Sequence, residues 1–206
     1  LAEVMEVRPG DVLLTNHPGY GGSHLPDITV VTPVHDDQGV LLGWTASRAH
    51  HAEIGGTRPG SMPPDATSLV EEGVVLAPMK IVEGGVSRLD ALAERLQSAL
   101  WPTRSLTDNL ADVQAAVAAN HGGAKALREI ARHTSSSEVI ASMQRLQSRS
   151  SELARVVVST LPDERYEASE SMDDGTVLAV TIDIQGSQAR VDFTGTGAVH
   201  AGNLNA

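Results

Sequence analysis

Two periodicities divide the chain. Up to about residue 86 apolar residues come in short runs broken by Gly, Pro, Asn and Asp. From Ser87 to Leu161 they recur every three or four positions, and beyond Pro162 they alternate. The runs Asp11 to Thr15, Asp27 to Val34, Val40 to Arg48 and Val74 to Ile81 predict strands, rich in β-branched residues. His35-Asp36-Asp37-Gln38-Gly39 is a polar loop that joins the second run to the third as a hairpin. Asp65 to Glu72 predicts a helical turn ended by Gly73. Leu89, Leu92, Leu96 and Leu100 share one helical face, with Ser87 as N-cap, Asp90 in the first turn and Trp101-Pro102 as the stop. A second helix is expected from Leu106 to Asn120, ended by His121-Gly122-Gly123, a third from Ala124 to His133, and a fourth from Ser137 to Leu161. Tyr166 to Met172, Thr176 to Ile184 and Gln188 to Thr194 predict an antiparallel meander, with Asp173-Asp174-Gly175 and Gln185-Gly186-Ser187 as turns.

The fold class expected is therefore α+β. A hairpin- and loop-rich N-terminal region (1–86) carries the candidate site, a helical middle follows (87–162), and an antiparallel β region (163–206) begins a domain left incomplete. Hydrophobic residues make up 41% of the chain and aromatics only 2%, so the core must be built from aliphatic side chains. The formal charge of −11 argues against a nucleic-acid backbone or an anionic membrane as partner. No apolar run is long enough to span a bilayer, no signal peptide is visible, and the absence of cysteine excludes disulfides and thiolate chemistry. A cytoplasmic location is the expectation these features fit.

The chemistry concentrates between Gly21 and Met62, where His24, Asp27, His50, His51 and Glu53 stand among glycines and prolines. Centring the hairpin loop on Asp37 places His24 opposite His50, with Cβ atoms roughly 4.5–5.5 Å apart. A slip of register still leaves His50 or His51 near His24. Pro26 interrupts the ladder, so His24-Leu25-Pro26-Asp27 is expected to be irregular and able to turn both end side chains inward. Two imidazoles and a carboxylate suit a borderline divalent ion such as zinc or manganese, with a coordination position left open. The plainer alternative is a loop-capping His24 and a solvated His50-His51 strand end; spacing leaves both open. The Asn16 to Gly22 loop lacks the spacing and the lysine of a phosphate-binding P-loop. His17, His35, His121, His133 and His200 read as loop or helix-end residues without partners.

These blocks carry a resemblance. Asn16-His17-Pro18, Gly21 to Asp27, Ser47 to Gly56, Pro59 to Pro64, Thr103-Arg104 with Asp108-Asn109-Leu110, Val117 to Asn120 and Val191 to Gly195 are similar, in order, to the hydantoinase B/oxoprolinase family. Gly19 after Pro18 and Met62-Pro63-Pro64 resemble its ATP-dependent 5-oxoprolinase branch. The resemblance implies the B-type component of a cyclic-amide hydrolase. An A-type subunit or domain, binding ATP and magnesium, phosphorylates a lactam or imide oxygen, and the B component opens the ring of 5-oxoproline or a hydantoin with a metal-activated water. It implies a hetero-oligomer, and metal ligands at His24, Asp27 and His50, with His51 second to His50. A further acidic ligand in the family comes from an upstream segment that this chain does not contain. The family's B component is longer than this chain, which starts without an initiator Met; a fragment, a split gene product or an excised piece is expected.

On that footing a metal held by His24, Asp27 and His50 supplies the nucleophilic water. Glu53 is a candidate general base or partner of a metal-binding histidine, with a solvated carboxylate as the alternative. Arg58 is a candidate for holding a substrate carboxylate or phosphate, Arg104 another, and Ser61 a polar contact to substrate without a nucleophile-elbow pattern. Two other readings stay open: a non-catalytic fragment docking an ATP-hydrolysing subunit, and a carboxylase-type relative.

Overall fold

The structure, a computed structural model, describes residues 4–205, so residues 1–3 and 206 of the expected first and last regions lie outside it. The chain is α+β and forms two compact units, one running to Ile140 and one from Ala141 to Asn205, with the division inside a helix.

The first unit is built on a five-stranded antiparallel sheet. Its strands are β1 (Val12–Thr15), β2 (Asp27–His35), β3 (Leu41–His50), β4 (Met79–Glu83) and β5 (Val86–Ser87), in the order β3-β2-β1-β4-β5. β1 is central and buried along all four residues, so its apolar run does not alternate. Around it Leu14, Leu25, Ile28, Val30, Ile54, Leu76 and Ile81 close a core with Leu92, Leu96 and Val113 from the helices. That core is aliphatic throughout, as the scarcity of aromatics requires.

The helices are α1 (Leu69–Glu72), α2 (Leu89–Ser98), α3 (Leu106–His133) and α4 (Ser136–Val158). A capping box between Ser68 and Glu71 starts α1. Ser87 pairs in β5, and Arg88 takes the N-cap position of α2 that the pattern gave to Ser87. The expected second and third helices are one. α3 runs unbroken through Gly122-Gly123: a Cβ at Gly123 would press on the Thr45 side chain at 3.1 Å, whereas Gly122 faces open space. At Gly123, closer contact with β3 offsets the cost of about 1 kcal/mol that a glycine imposes on a helix. The expected Val74 to Ile81 strand begins only at Met79. The Val74 amide donates to the Ile54 carbonyl (2.7 Å) and the Leu76 amide to the Asn16 side chain (2.7 Å), so loops and a carboxamide take that backbone instead of a ladder.

Two buried asparagines fix this unit. Asn16 donates to the carbonyls of Leu25 (2.9 Å) and Val74 (2.8 Å), tying three loops at one point. Asn120, on α3, donates to the Val30 carbonyl (3.0 Å) and the Thr32 hydroxyl (3.4 Å) and accepts from Ser47 (2.6 Å), bridging β2 and β3. A second cluster, Val34, Leu42, Ala124, Ala131 and Val139, packs further along α3.

The second unit holds the rest of α4 and the expected meander, β6 (Arg165–Ser171), β7 (Val177–Gln185) and β8 (Gln188–Asp192), in the order β6-β7-β8. His200 is not partnerless: its Nε2 lies 2.7 Å from an Asp174 carboxylate oxygen. Among the described residues no helix is long and apolar enough to cross a membrane.

Asn120→Ala would leave the Val30 carbonyl and the Ser47 hydroxyl short of a partner under the helix. The expected loss is about 1–3 kcal/mol, read as a lower denaturation midpoint in urea, with Ala118→Ser on the exposed side of α3 as the neutral control.

Candidate active site

The β2–β3 hairpin delivers the site, in a register different from the expected one. A bulge between Val34 and His35 lengthens the loop end, and Asp36 closes the turn by accepting from the Gln38 (2.9 Å) and Val40 (2.8 Å) amides. His50 therefore faces Asp27, not His24. Its Nδ1 lies 2.9 Å from an Asp27 carboxylate oxygen. A carboxylate only accepts, so Nδ1 is the donating nitrogen of this pair and Nε2 is the ring nitrogen Asp27 does not engage. His24 arrives from the turn before β2, where the Asp27 amide donates to the His24 carbonyl (2.9 Å). Its ring stacks on that of His50 with centroids 5.2 Å apart. The irregular His24–Asp27 segment thus brings both end side chains to His50, as Pro26 suggested.

Within this group the His24 Nε2 is buried and has no hydrogen-bond partner. An orphaned imidazole nitrogen beside a second imidazole and a carboxylate fits a borderline divalent ion in donor chemistry. Among the described residues, however, no three such groups are already arranged as a ligand cluster.

His51, the next residue, points the other way. It is buried, and its Nδ1 lies 2.7 Å from the Asn109 side-chain oxygen on α3. Alternation along the strand end sends His50 to the open face and His51 to the helix. The structure does not bring His51 to the group that holds His24.

Glu53 is the best-partnered side chain of the region, only 9% exposed. One oxygen accepts from the Thr103 hydroxyl, the Arg104 amide (3.0 Å) and the Ser105 amide (3.1 Å). The other accepts from the Gly55 amide (2.9 Å) and the Arg104 guanidinium (3.4 Å). Burial pushes its pKa up, but the donors from Thr103, Gly55, Ser105 and Arg104 outweigh it and the net shift is downward. Asn109 completes the knot by donating to the Glu53 carbonyl (3.1 Å) and the Thr103 hydroxyl (2.8 Å). Two glycines make the turn possible. Gly55 and Gly56 have φ of 85° and 86°, and a Cβ on Gly55 would overlap the Trp101 carbonyl oxygen.

The remaining candidates are engaged nearby. Ser61 is buried in a left-handed conformation, φ 55°; its hydroxyl donates to the Gly55 carbonyl (2.6 Å) and accepts from the Ile54 amide (2.7 Å). Arg58 pairs with Asp65 at 3.1 Å. Arg104 lies on Glu53 and the Gly56 carbonyl (2.8 Å). The residue that sequence reasoning passed over is Arg48, on β3 in the row beside His50, donating to the Thr29 hydroxyl (2.8 Å) and the Gly21 carbonyl (2.5 Å). Its place two residues before His50 on a predicted strand was the available signal.

Comparison with known proteins places these features. The family described as Hydantoinase B/oxoprolinase matches residues 1–206. The chain is 40% identical to 5-oxoprolinase 1 of Arabidopsis thaliana over 97% of its own length and 18% of that relative's. It is 38% identical to a 5-oxoprolinase of Dictyostelium discoideum, over 97% of the chain and 16% of that relative. It thus spans less than a fifth of the length of these curated relatives. In structure it resembles an ATP-dependent caprolactamase from Pseudomonas jessenii, with a TM-score of 0.80 at 26% identity, over 90% of this chain and 32% of that one.

A carboxylate whose pKa is depressed on folding stabilises above its unfolded pKa and loses that contribution as pH falls through the folded value. Glu53→Gln removes the charge but keeps the shape. The variant is expected to melt lower than wild type at neutral pH and to show a flatter decline on acidification. Thermal melts from neutral pH down to about pH 3 check it; parallel curves offset by a constant would mean that Glu53 is not the titrating clamp.

Proposed function

The chain belongs to the hydantoinase B/oxoprolinase family, and from that premise we propose that it is the ring-opening portion of an ATP-dependent cyclic-amide hydrolase. The substrate class is a small lactam or imide, 5-oxoproline or a hydantoin, activated by an A-type ATP-binding subunit or domain that holds ATP and magnesium. Relatives named 5-oxoprolinase and a neighbour named ATP-dependent caprolactamase support the class of reaction. The observation that carries the reading is the stacking of His24, whose Nε2 is buried without a partner, on the His50 ring that Asp27 holds.

A ring amide resists water because its nitrogen delocalises onto the carbonyl. Phosphorylation of the oxygen by the ATP component removes that protection and leaves the carbon electrophilic. A zinc or manganese ion held by His24 and His50, with Asp27 on the Nδ1 side of His50 rather than on the ion, would lower the pKa of a bound water and so supply the nucleophile. The chain's own residues prepare the place. Asp27 accepts from the His50 Nδ1 and so fixes the ring, with Nε2 the nitrogen it does not engage. Asn16 holds the Leu25 carbonyl and with it the turn that carries His24. Glu53 acts through position rather than as a free base, since both its oxygens are taken by donors on the segment that leads into α3. His51 belongs to that supporting knot.

The test uses the full-length protein with its ATP-hydrolysing component. Wild type is expected to carry near-stoichiometric zinc or manganese by mass spectrometry. His50→Ala should lose the metal, and both it and His24→Ala should lower ATP-dependent ring opening roughly 100-fold or more. Unchanged ring opening in His24→Ala would sink the reading, and absence of metal from an active wild type would remove the ion from it.

A further inference from the structure

The region holds three arginines, and two are already committed to carboxylates. Arg58 pairs with Asp65 and Arg104 with Glu53. Arg48 differs in its partners. It faces Thr29 across the hairpin just as His50 faces Asp27. Positions two apart on a strand share a face, and a rise of about 3.4 Å per residue sets the two rows roughly 7 Å apart. Arg48 therefore lies on the face that carries the His24, Asp27 and His50 group, one row away. Both of its acceptors, the Thr29 hydroxyl and the Gly21 carbonyl, are neutral. Among the described residues no carboxylate pairs with it, although the chain has 26 acidic residues against 15 Lys and Arg.

A guanidinium offers five N–H donors and keeps its charge at any working pH. Two bonds to neutral oxygens hold the Arg48 head in place without neutralising it and leave three donors. Fixed, charged and open is the state in which an arginine meets a planar oxyanion with least loss of side-chain freedom.

We propose that Arg48 is the anion-recognising residue of this site, binding the carboxylate or phosphoryl group of a small substrate presented to His24, Asp27 and His50. The assignment rests on the ring-opening reading above and adds to it a determinant of substrate class: rings that bear an anionic group are favoured over neutral ones. The Gly21 bond adds a coupling. The same guanidinium tethers the loop that runs through Ser23 to His24, so the residue that meets the anion also steadies one histidine of the group.

That tether supplies the rival explanation, in which Arg48 is only a brace. A brace affects every ligand alike; an anion receptor separates charged from neutral ones. The experiment measures binding by calorimetry to the full-length protein with its ATP component, as wild type, Arg48→Gln and Arg48→Lys. The probes are 5-oxoproline, 2-pyrrolidinone (the same ring without the carboxylate) and inorganic phosphate. Expected is a roughly 10- to 100-fold loss of 5-oxoproline affinity in Arg48→Gln, partial recovery in Arg48→Lys, and a much smaller loss, that of the loop tether alone, for 2-pyrrolidinone. A loss confined to phosphate would assign the phosphoryl group instead of the carboxylate. Equal losses for neutral and charged rings, or no loss for either anion, would overturn the proposal, as would a wild type that binds neither anion. Ring opening is measured on the same samples. Arg48-dependent anion binding without turnover would keep this inference and sink the ring-opening reading, whereas turnover with Arg48-independent binding would do the reverse.

Discussion

One carboxylate ties the first unit together. Glu53 leaves water for a pocket of five donors, four of them on the Thr103–Ser105 segment that leads into α3. A carboxylate at 9% exposure is costly unless it is fully hydrogen-bonded, so the segment has one favourable position. The start of α3 is fixed by it. Asn120, four turns along the same helix, then reaches β2 and β3, and the hairpin it grips is the one that sets His50 against Asp27. Positioning passes from a buried charge through a helix to an open face of the sheet.

The two faces of the hairpin are chemically opposite for this reason. Val30, Thr32, Thr45 and Ser47 meet α3, and their polar atoms are satisfied by Asn120. Asp27, Thr29, Arg48 and His50 lie on the alternate positions, the face that the His24 loop approaches. A helix-facing histidine can be locked as His51 is, whereas a histidine on the open face keeps a nitrogen for a ligand. Alternation with a period of two thus sorts the adjacent His50 and His51 onto the open face and the helix-facing one.

Much of this was legible in the sequence, and the failures have causes. The α+β class, the hairpin, the first helix and the C-terminal meander follow from apolar periodicity and turn residues. The hairpin register did not, because the bulge beside His35 and the Asp36 turn insert an offset that composition does not reveal. The break expected at Gly122-Gly123 was misplaced because intrinsic propensity yields to packing when a helix must approach β3 closely. Among the candidate residues, His24, Asp27 and His50 were legible as neighbours, since they lie on one hairpin and the turn that leads into it. Glu53 and Arg104 read as reactive because their partners are about fifty positions apart, a distance over which sequence patterns carry no pairing information. Arg48 was overlooked for the converse reason. Beside Arg58 and Arg104, which have carboxylate partners, it is set apart by having none among the described residues, and that is visible only in the folded chain.

The same separations set an order in time. α3 is held mostly by bonds four residues long and can form early from local sequence alone. The Glu53 clamp closes a span of 51 residues to Arg104, and the Asn120 bridge a span of 90 to Val30. Each requires the chain to give up loop entropy before its bonds reward it. During synthesis the hairpin with His24 and His50 leaves the ribosome well before the asparagine that braces it. The His24 and His50 face is thus assembled late, and a growing chain carries these histidines for many residues before the helix that braces their hairpin exists.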